Sequence, residues 1–329
     1  MATVAVIGAG LMGTACARRL MQAGFEVLAY DVDEAKRAAI AKLGARTAGS
    51  VAATVAQSTA LVLAVFNTDQ VEQVIESEGG VLGTVGTGSR SPVVICTSTC
   101  DPDRLAALAA RVMPRGVRFL EVPISGTSRQ VAAGDGVGLV GGDRDLMAQA
   151  APMLDAICPR RYYLGGVGNG SRAKLAVNLI LGLNRAALAE GLVFAERLGL
   201  DREAFLDVAR GSAAYSQGMD IKGPLMARRE FGNPQSRVDQ SLKDFSLMLA
   251  QAQAKGQELP FATVYARMLE DCVQHGEGEW DNAAIAAAIA RRRTSGSRIF
   301  LPARLWMEHD LMRFDVARFE QPQRCFGAG

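Results

Sequence analysis

Residues 168–178 read GNGSRAKLAVN, a glycine-rich turn that runs into a helix with Lys174 one turn inside it. From there to Leu198 nearly every residue is small or apolar. An ammonium group on such a helix has two explanations. Its stem lies along apolar surface while the charge reaches water, or it is a proton donor in a partly desolvated cleft, where burial draws its pKa down toward neutrality. Other groups with chemical potential stand elsewhere in the chain. GAGLMG (8–13) is a G-x-G-x-x-G, and LEVPISG (120–126) ends an apolar run in Ser125 and Gly126. TST (97–99) ends another run in hydroxyls, and SLKDFSLML (241–249) places Lys243 and Asp244 in mid-helix.

The elements that position these groups are readable from periodicity. TVAVIGAG (3–10), FEVLAYD (25–31), TALVLAVF (59–66), PVVICTS (92–98), VRFLEVP (117–123) and VGLVGG (137–142) are short apolar runs separated by helical stretches. Alternation of this kind implies crossover connections and a mostly parallel sheet. Such a sheet is covered on both faces, which is why its strands are apolar throughout. Past residue 165 no convincing strand follows. Helical patterns occupy 170–198, 201–213, 237–255, 259–275 and 281–291. The expected fold is therefore α/β: an N-terminal Rossmann domain (1–164) with a doubly wound, mostly parallel sheet, then an all-α domain (165–290). A basic, arginine-rich extension (291–329) closes the chain, with a structural or subunit-clasping role expected for it.

The glycine motif gains weight from its context, since it follows a strand, opens a helix and precedes a second strand ending in Asp31. Gly8 permits the tight turn, Gly10 lets backbone approach a pyrophosphate, and Gly13 lets the helix pack on the strand. Leu11 and Met12 then begin the helix whose bare N–H groups face the phosphates. Asp31 lies at about the expected spacing of ~20 residues, placed to accept from the ribose hydroxyls. It and Asp33 repel a 2′-phosphate. Lys36 and Arg37 reach one only by bending back. NAD is expected over NADP.

The bulk numbers bound the alternatives. At 329 residues, 49% hydrophobic and 21% charged with net charge +2, the chain calls for no nucleic acid. No uninterrupted apolar run has the ~18 residues of a membrane span. MATVAVIGAG enters a strand directly and lacks the basic start of a signal peptide. Six scattered cysteines without a CxxC pair, and two distant histidines, argue against a zinc site and for free thiols in a reducing, cytoplasmic setting. No metal is expected.

Taken in order, these motifs resemble the β-hydroxyacid dehydrogenase family over about residues 3–290. That family includes 3-hydroxyisobutyrate dehydrogenase, tartronate semialdehyde reductase, L-threonate dehydrogenase and, more distantly, 6-phosphogluconate dehydrogenase. The resemblance implies a nicotinamide-dependent enzyme acting on a small carboxylate-bearing substrate, and a homodimer or homotetramer. It implies Lys174 as catalytic acid/base with Asn178 as its companion, four residues on and so on the same helix face. Ser125 and Gly126 match the loop that grips the substrate carboxylate. Ser98 and Thr99 match hydroxyls beside the nicotinamide, and Asn67 a residue near its ribose. Lys243 and Asp244 match a Lys-Asp pair near substrate or cofactor.

Two departures stand out. The family loop continues Ser-Gly-Gly, whereas Thr127 replaces the second glycine here. A β-branched residue disfavours positive φ, so the loop is expected to differ in shape. Thr127 either meets a hydroxylated substrate or caps the next helix. The run NPQSRVDQ before Lys243 is unusually polar, and Gln240 shares a helix face with Lys243. Both changes lean toward a polar, sugar-acid-like substrate. Asn184 and Arg185 either face the interdomain cleft or make a structural contact, the latter being the plainer expectation. Two alternatives fit the same features: an imine or non-acid carbonyl reductase of the same fold, and a non-catalytic nucleotide-binding regulator.

Overall fold

The computed structural model of the chain describes residues 2–85 and 91–292. Its strands are β1 (Thr3–Ile7), β2 (Glu26–Tyr30), β3 (Arg46–Thr47), β4 (Ala60–Leu63), β5 (Val93–Cys96), β6 (Arg118–Glu121), β7 (Ile124–Ser125), β8 (Val137–Val140) and β9 (Arg160–Tyr163). The first six form one sheet in the order β3-β2-β1-β4-β5-β6, with every neighbouring pair parallel. Between them run α1 (Leu11–Gln22), α2 (Glu34–Ala41), α3 (Val51–Ala56), α4 (Thr68–Glu76), α5 (Val81–Thr84) and α6 (Pro102–Val112). After β6 come α7 (Ser128–Ala133), α8 (Arg144–Gln149) and α9 (Ala151–Ile157).

Strand alternation explains the unbroken apolar runs. Val4 and Val6 of β1 point into one core with Val62, Ile95 and Leu120. Ala5 and Ile7 point to the opposite face, into a second core with Leu61, Leu63, Val94 and Phe119. Both faces are covered, so neither set of side chains tolerates polarity.

VGLVGG meets this sheet only at Gly141, which bridges Glu121 in antiparallel fashion. Its strand β8 is the middle of a separate three-stranded sheet, antiparallel to β7 and parallel to β9. Ile124 faces Gly138 and Ser125 faces Val137 in that register. The short sheet therefore presents the Ser125–Gly126 turn at its edge. The strand β9, RRYY, lacks an apolar run and so gives no strand signal in the sequence.

The helical half consists of α10 (Asn169–Arg197), α11 (Arg202–Arg210), α12 (Gln217–Arg228), α13 (Val238–Ala254), α14 (Pro260–Gln274) and α15 (Ile285–Arg291). Among the described residues no strand follows β9. The element α12 escaped the periodicity reading because Pro224 interrupts its sequence, yet the helix runs through it. The spine is α10, about 44 Å long at 1.5 Å per residue. By length and composition it would pass for a membrane span. Here it packs against the other helices, burying Leu175, Leu188 and Leu192 in a third core with Phe245, Tyr265 and Leu269. The arginine-rich extension lies, from residue 293 on, outside the described residues.

Candidate active site

Two cavities meet between the sheet and the helices. The first, of about 360 Å³, is lined by Gly8, Gly10, Leu11, Met12, Asp31, Phe66 and Gln240 among others. The second, of about 550 Å³, is lined by Thr99, Ser125, Gly126, Thr127, Lys174, Asn178, Lys243 and Asp244 among others. Met12, Phe66 and Gln240 line both, so they stand at the junction.

The first cavity fits a dinucleotide. Gly8 has φ +93°, and a Cβ there would come within 2.5 Å of the Ala64 carbonyl oxygen. A Cβ on Gly13 would sit 1.8 Å from the Gly8 oxygen, so only glycine lets α1 approach β1. A Cβ on Gly10 would instead project into open space, the place a pyrophosphate needs. No side chain caps α1, which leaves its first N–H groups available for an anion. Asp31 is held toward this loop: its two oxygens accept from Ala9 N at 2.7 Å and Asp33 N at 2.9 Å. Arg37 does bend back, donating to the carbonyls of Asp31 and Val32, but it does not line the cavity. Asn67 caps α4 by accepting from Gln70 N at 2.9 Å, and neither cavity includes it among its lining residues. Its neighbour Phe66 lines both instead.

Lys174 sits in the wall of the second cavity, 7% exposed, its Nζ donating to the Ile124 carbonyl at 2.7 Å. Burial brings its pKa down to about 8, with the Asp244 carboxylate pulling upward and the Lys243 charge pushing down. The side chain does not snorkel to the surface. Asn178, one turn on, donates to Asp244 Oδ2 at 2.8 Å. Asp244 in turn pairs with Lys243 at 2.9 Å. Lys243 also donates to the Phe66 and Thr99 carbonyls at 3.1 and 2.9 Å, which ties α13 to the loops after β4 and β5. A glycine makes this possible. The Phe245 ring packs where a Cβ on Gly182 would lie, 2.4 Å away, so α13 settles close against α10 beside Asn178.

The loop after β7 is shaped by Thr127, which stands where the resemblance leads one to expect a second glycine. Gly126 takes φ +139°, which suits glycine. Thr127 takes φ −75° and forms a capping box with Gln130 at the start of α7. Its residue type therefore fits without strain, as a helix cap. The Thr127 N–H goes to Gln130 Oε1, and the Ser128 N–H and hydroxyl go to the Gln235 carbonyl. Of this loop, the Ser125 hydroxyl and the Gly126 N–H remain to meet a ligand. Ser98 is turned inward onto the Val65 carbonyl at 2.8 Å. Thr99 lines the cavity and is not a helix cap, since Asp101 caps α6.

Three charged groups escaped the sequence reasoning. Glu121, at the end of β6, is fully buried and accepts from the backbone N–H groups of Gly168, Gly170 and Ser171 at 2.7, 3.1 and 2.6 Å. It supplies the cap that GNGS lacks and thereby mounts the helix that carries Lys174. Burial nonetheless raises its pKa above the usual carboxylate value, with these hydrogen bonds opposing. The available signal was a lone glutamate in an otherwise apolar strand end. Lys222 and Asp281 form a buried pair at 2.7 Å, and Asp281 also holds the Gln235 N–H at 2.8 Å. Through Gln235 this pair braces Ser128, next to the Ser125–Gly126 turn. The described cysteines are buried and free, Cys96 and Cys100 included.

Comparison with known proteins adds the following. A family model described as the NAD binding domain of 6-phosphogluconate dehydrogenase matches residues 3–165. A second, described as NAD-binding of NADP-dependent 3-hydroxyisobutyrate dehydrogenase, matches residues 168–289. The L-threonate dehydrogenase of Cupriavidus necator is 29% identical over 86% of this chain and 94% of its own. The glyoxylate/succinic semialdehyde reductase 1 of Arabidopsis thaliana is 28% identical over 87% and 98%. The crystal structure of 3-hydroxyisobutyrate dehydrogenase from Salmonella typhimurium, 27% identical, superposes with a TM-score of 0.78 over 87% of this chain and 99% of that one.

Proposed function

Because the chain belongs to the β-hydroxyacid dehydrogenase family of NAD(P)-dependent oxidoreductases, we propose that it interconverts a β-hydroxy acid and its semialdehyde, with Lys174 as general acid/base and NAD as the preferred cofactor. The observation that carries this reading is the buried Lys174 ammonium, poised near pH 8 in a cavity continuous with the dinucleotide cleft. The nicotinamide, when bound, supplies the hydride in reduction and takes it in oxidation. In the reduction direction Lys174 stabilises the developing oxyanion and gives it a proton. In oxidation the neutral amine removes the hydroxyl proton. Asn178, held by Asp244, keeps its Oδ1 and one N–H for the same oxygen. The Ser125 hydroxyl and Gly126 N–H receive the carboxylate, and Gln240 stands between the two cavities.

Asp31 supports NAD over NADP, because its fixed carboxylate offers lone pairs to ribose hydroxyls and repels a phosphate. The test is a panel of β-hydroxy acids with NAD and with NADP, followed by nicotinamide absorbance. Lys174→Ala should lower turnover by about 10²- to 10⁴-fold while NADH binding, followed by fluorescence titration, is kept. Near-normal turnover in that variant would remove the acid/base role.

The proposal includes a homodimer or homotetramer. Ile180, Phe194, Leu198 and Phe261 on the helical half are each more than half exposed. Ile180, Phe194 and Leu198, spaced 14 and 4 apart, fall on one side of α10, and an exposed apolar face of this kind suits association. Sedimentation velocity should report at least a dimer, and a monomer at micromolar concentration would contradict it.

A further inference from the structure

Two cations of the second cavity have no role in the chemistry above: Arg160, exposed on β9, and Arg185, half-buried on α10. Lys174, Asn178, Leu181 and Arg185 all line it. Their spacing of four, three and four residues places them along one face of α10. The stripe has a graded character. Lys174 and Asn178 are polar and sit at the reacting end. Leu181 is apolar, with Ile221 of α12 also on the cavity wall. Arg185 then presents a guanidinium.

The other lysines of the cavity are already neutralised, Lys243 by Asp244 and Lys222 by Asp281. Arg185 is different. It donates to two neutral oxygens, Tyr265 Oη at 3.0 Å and Ser241 Oγ at 3.4 Å. Among the described residues no carboxylate forms an ion pair with it. Its charge is felt nearby: after burial, Asp281 pulls the Lys222 pKa up while Arg185 pushes it down. A half-buried guanidinium without a counter-ion, at the end of an apolar stretch, is a receptor for an anion.

We propose that Arg185 binds a second carboxylate, carried at the end of the substrate remote from the reacting carbon. The substrate class is then a hydroxy dicarboxylate or the matching oxo acid, with methylene carbons lying along Leu181 and Ile221. The assignment rests on the β-hydroxy acid reading given above. Length supports an extended molecule. Lys174 and Arg185 are eleven positions apart, about 16 Å along the helix axis. A three-carbon hydroxy acid held at Ser125 and Lys174 stays far from Arg185, whereas a chain of five or six carbons reaches toward it. The carboxylate would add a charge-assisted, planar pairing to a guanidinium that Tyr265 and Ser241 already orient.

The test compares 3-hydroxyadipate with 3-hydroxyhexanoate, which differ by a terminal carboxylate against a methyl group. The wild-type enzyme should favour the dicarboxylate by about 10- to 100-fold in kcat/KM. Arg185→Met should bring that ratio to within about threefold, chiefly through KM, and leave the methyl analogue's kcat nearly unchanged. Arg185→Lys should restore part of the ratio, since it restores charge without the fork. Adipate should raise the Tm of the wild-type protein more than hexanoate does, and that difference should vanish in Arg185→Met. Equal kcat/KM for the two acids in the wild type, or a preference that survives in Arg185→Met, overturns this assignment alone. Silence with both acids and every shorter β-hydroxy acid overturns the parent reading and this one with it.

Discussion

The buried lysine makes its own pH prediction. Lys174 carries a pKa of about 8 against an ordinary 10.5, with burial as the main cause. At pH 7 about nine-tenths of the molecules then hold the ammonium form, and at pH 10 about one in a hundred. Reduction needs that proton, so kcat/KM for the carbonyl substrate should fall about tenfold per pH unit above 8. Oxidation needs the free amine and should rise over the same range to a plateau. Steady-state assays in both directions between pH 6 and 10 read these limbs directly. Asp244→Asn removes the charge that raises the pKa, so the limb should move to lower pH. Lys243→Met removes the charge that lowers it and should move the limb up. Lys174→Arg keeps its proton throughout, so the surviving activity should lose the limb. Stability follows the same linkage. The folded-state pKa is depressed, so below about pH 8 both states are charged and folding carries the full burial penalty, about 3 kcal/mol. Between about 8 and 10.5 the folded state sheds its proton first and stability rises. Lys174→Met should therefore be more stable than wild type at neutral pH and lack that rise, as measured by urea denaturation. A reduction rate that stays flat to pH 10, or a limb that persists in Lys174→Arg, refutes the reasoning.

Three further substitutions probe the scaffold. Glu121→Gln keeps one acceptor but turns an amide N–H₂ toward the helix N–H groups, and should destabilise by about 2–4 kcal/mol. Because burial raises the Glu121 pKa, the wild type is most stabilised by this group at acidic pH and loses that share as pH rises through the raised value; the glutamine variant should lack this dependence in thermal melts. Lys222→Met leaves the Asp281 carboxylate buried and unpaired, for a loss of about 3–5 kcal/mol by denaturant titration. Gly13→Ala forces a methyl into the Gly8 carbonyl, 1.8 Å away, so NADH titration should show binding lost or reduced beyond detection.

The parts of the site that were legible in sequence are those whose physics is local. Gly8, Gly10 and Gly13 act through a single turn, and Asp31 through the strand that follows. Lys174 and Asn178 share one helix face, and Ser125 and Gly126 adjoin in the chain. The illegible parts are long-range pairings of charge. Glu121 lies about fifty residues from the N–H groups it caps, and Lys222 is 59 from Asp281. Nothing in either segment names its partner. Asn67 was ambiguous for a related reason: a short polar residue after a strand suits a cap and a ligand contact equally, and the structure shows the cap. The second sheet was hidden because β7 has two residues and β9 is polar, too little pattern for a period of two to register. Pro224 concealed α12 by breaking the rule that proline ends a helix.

The carboxylate beneath the first turn of α10 also bears on how this enzyme can change over evolutionary time. In many proteins a helix end is itself the anion receptor. Here that end is already discharged by Glu121, from within and out of reach of any ligand. Affinity for acids is left to side chains that project from α10 and the loops around it. Such side chains can be exchanged one at a time without loosening the mount. If Arg185 and Lys174 act as proposed, a lineage built on this arrangement is free to drift from one acid to another at Arg185 or Leu181, while the proton donor stays where it is.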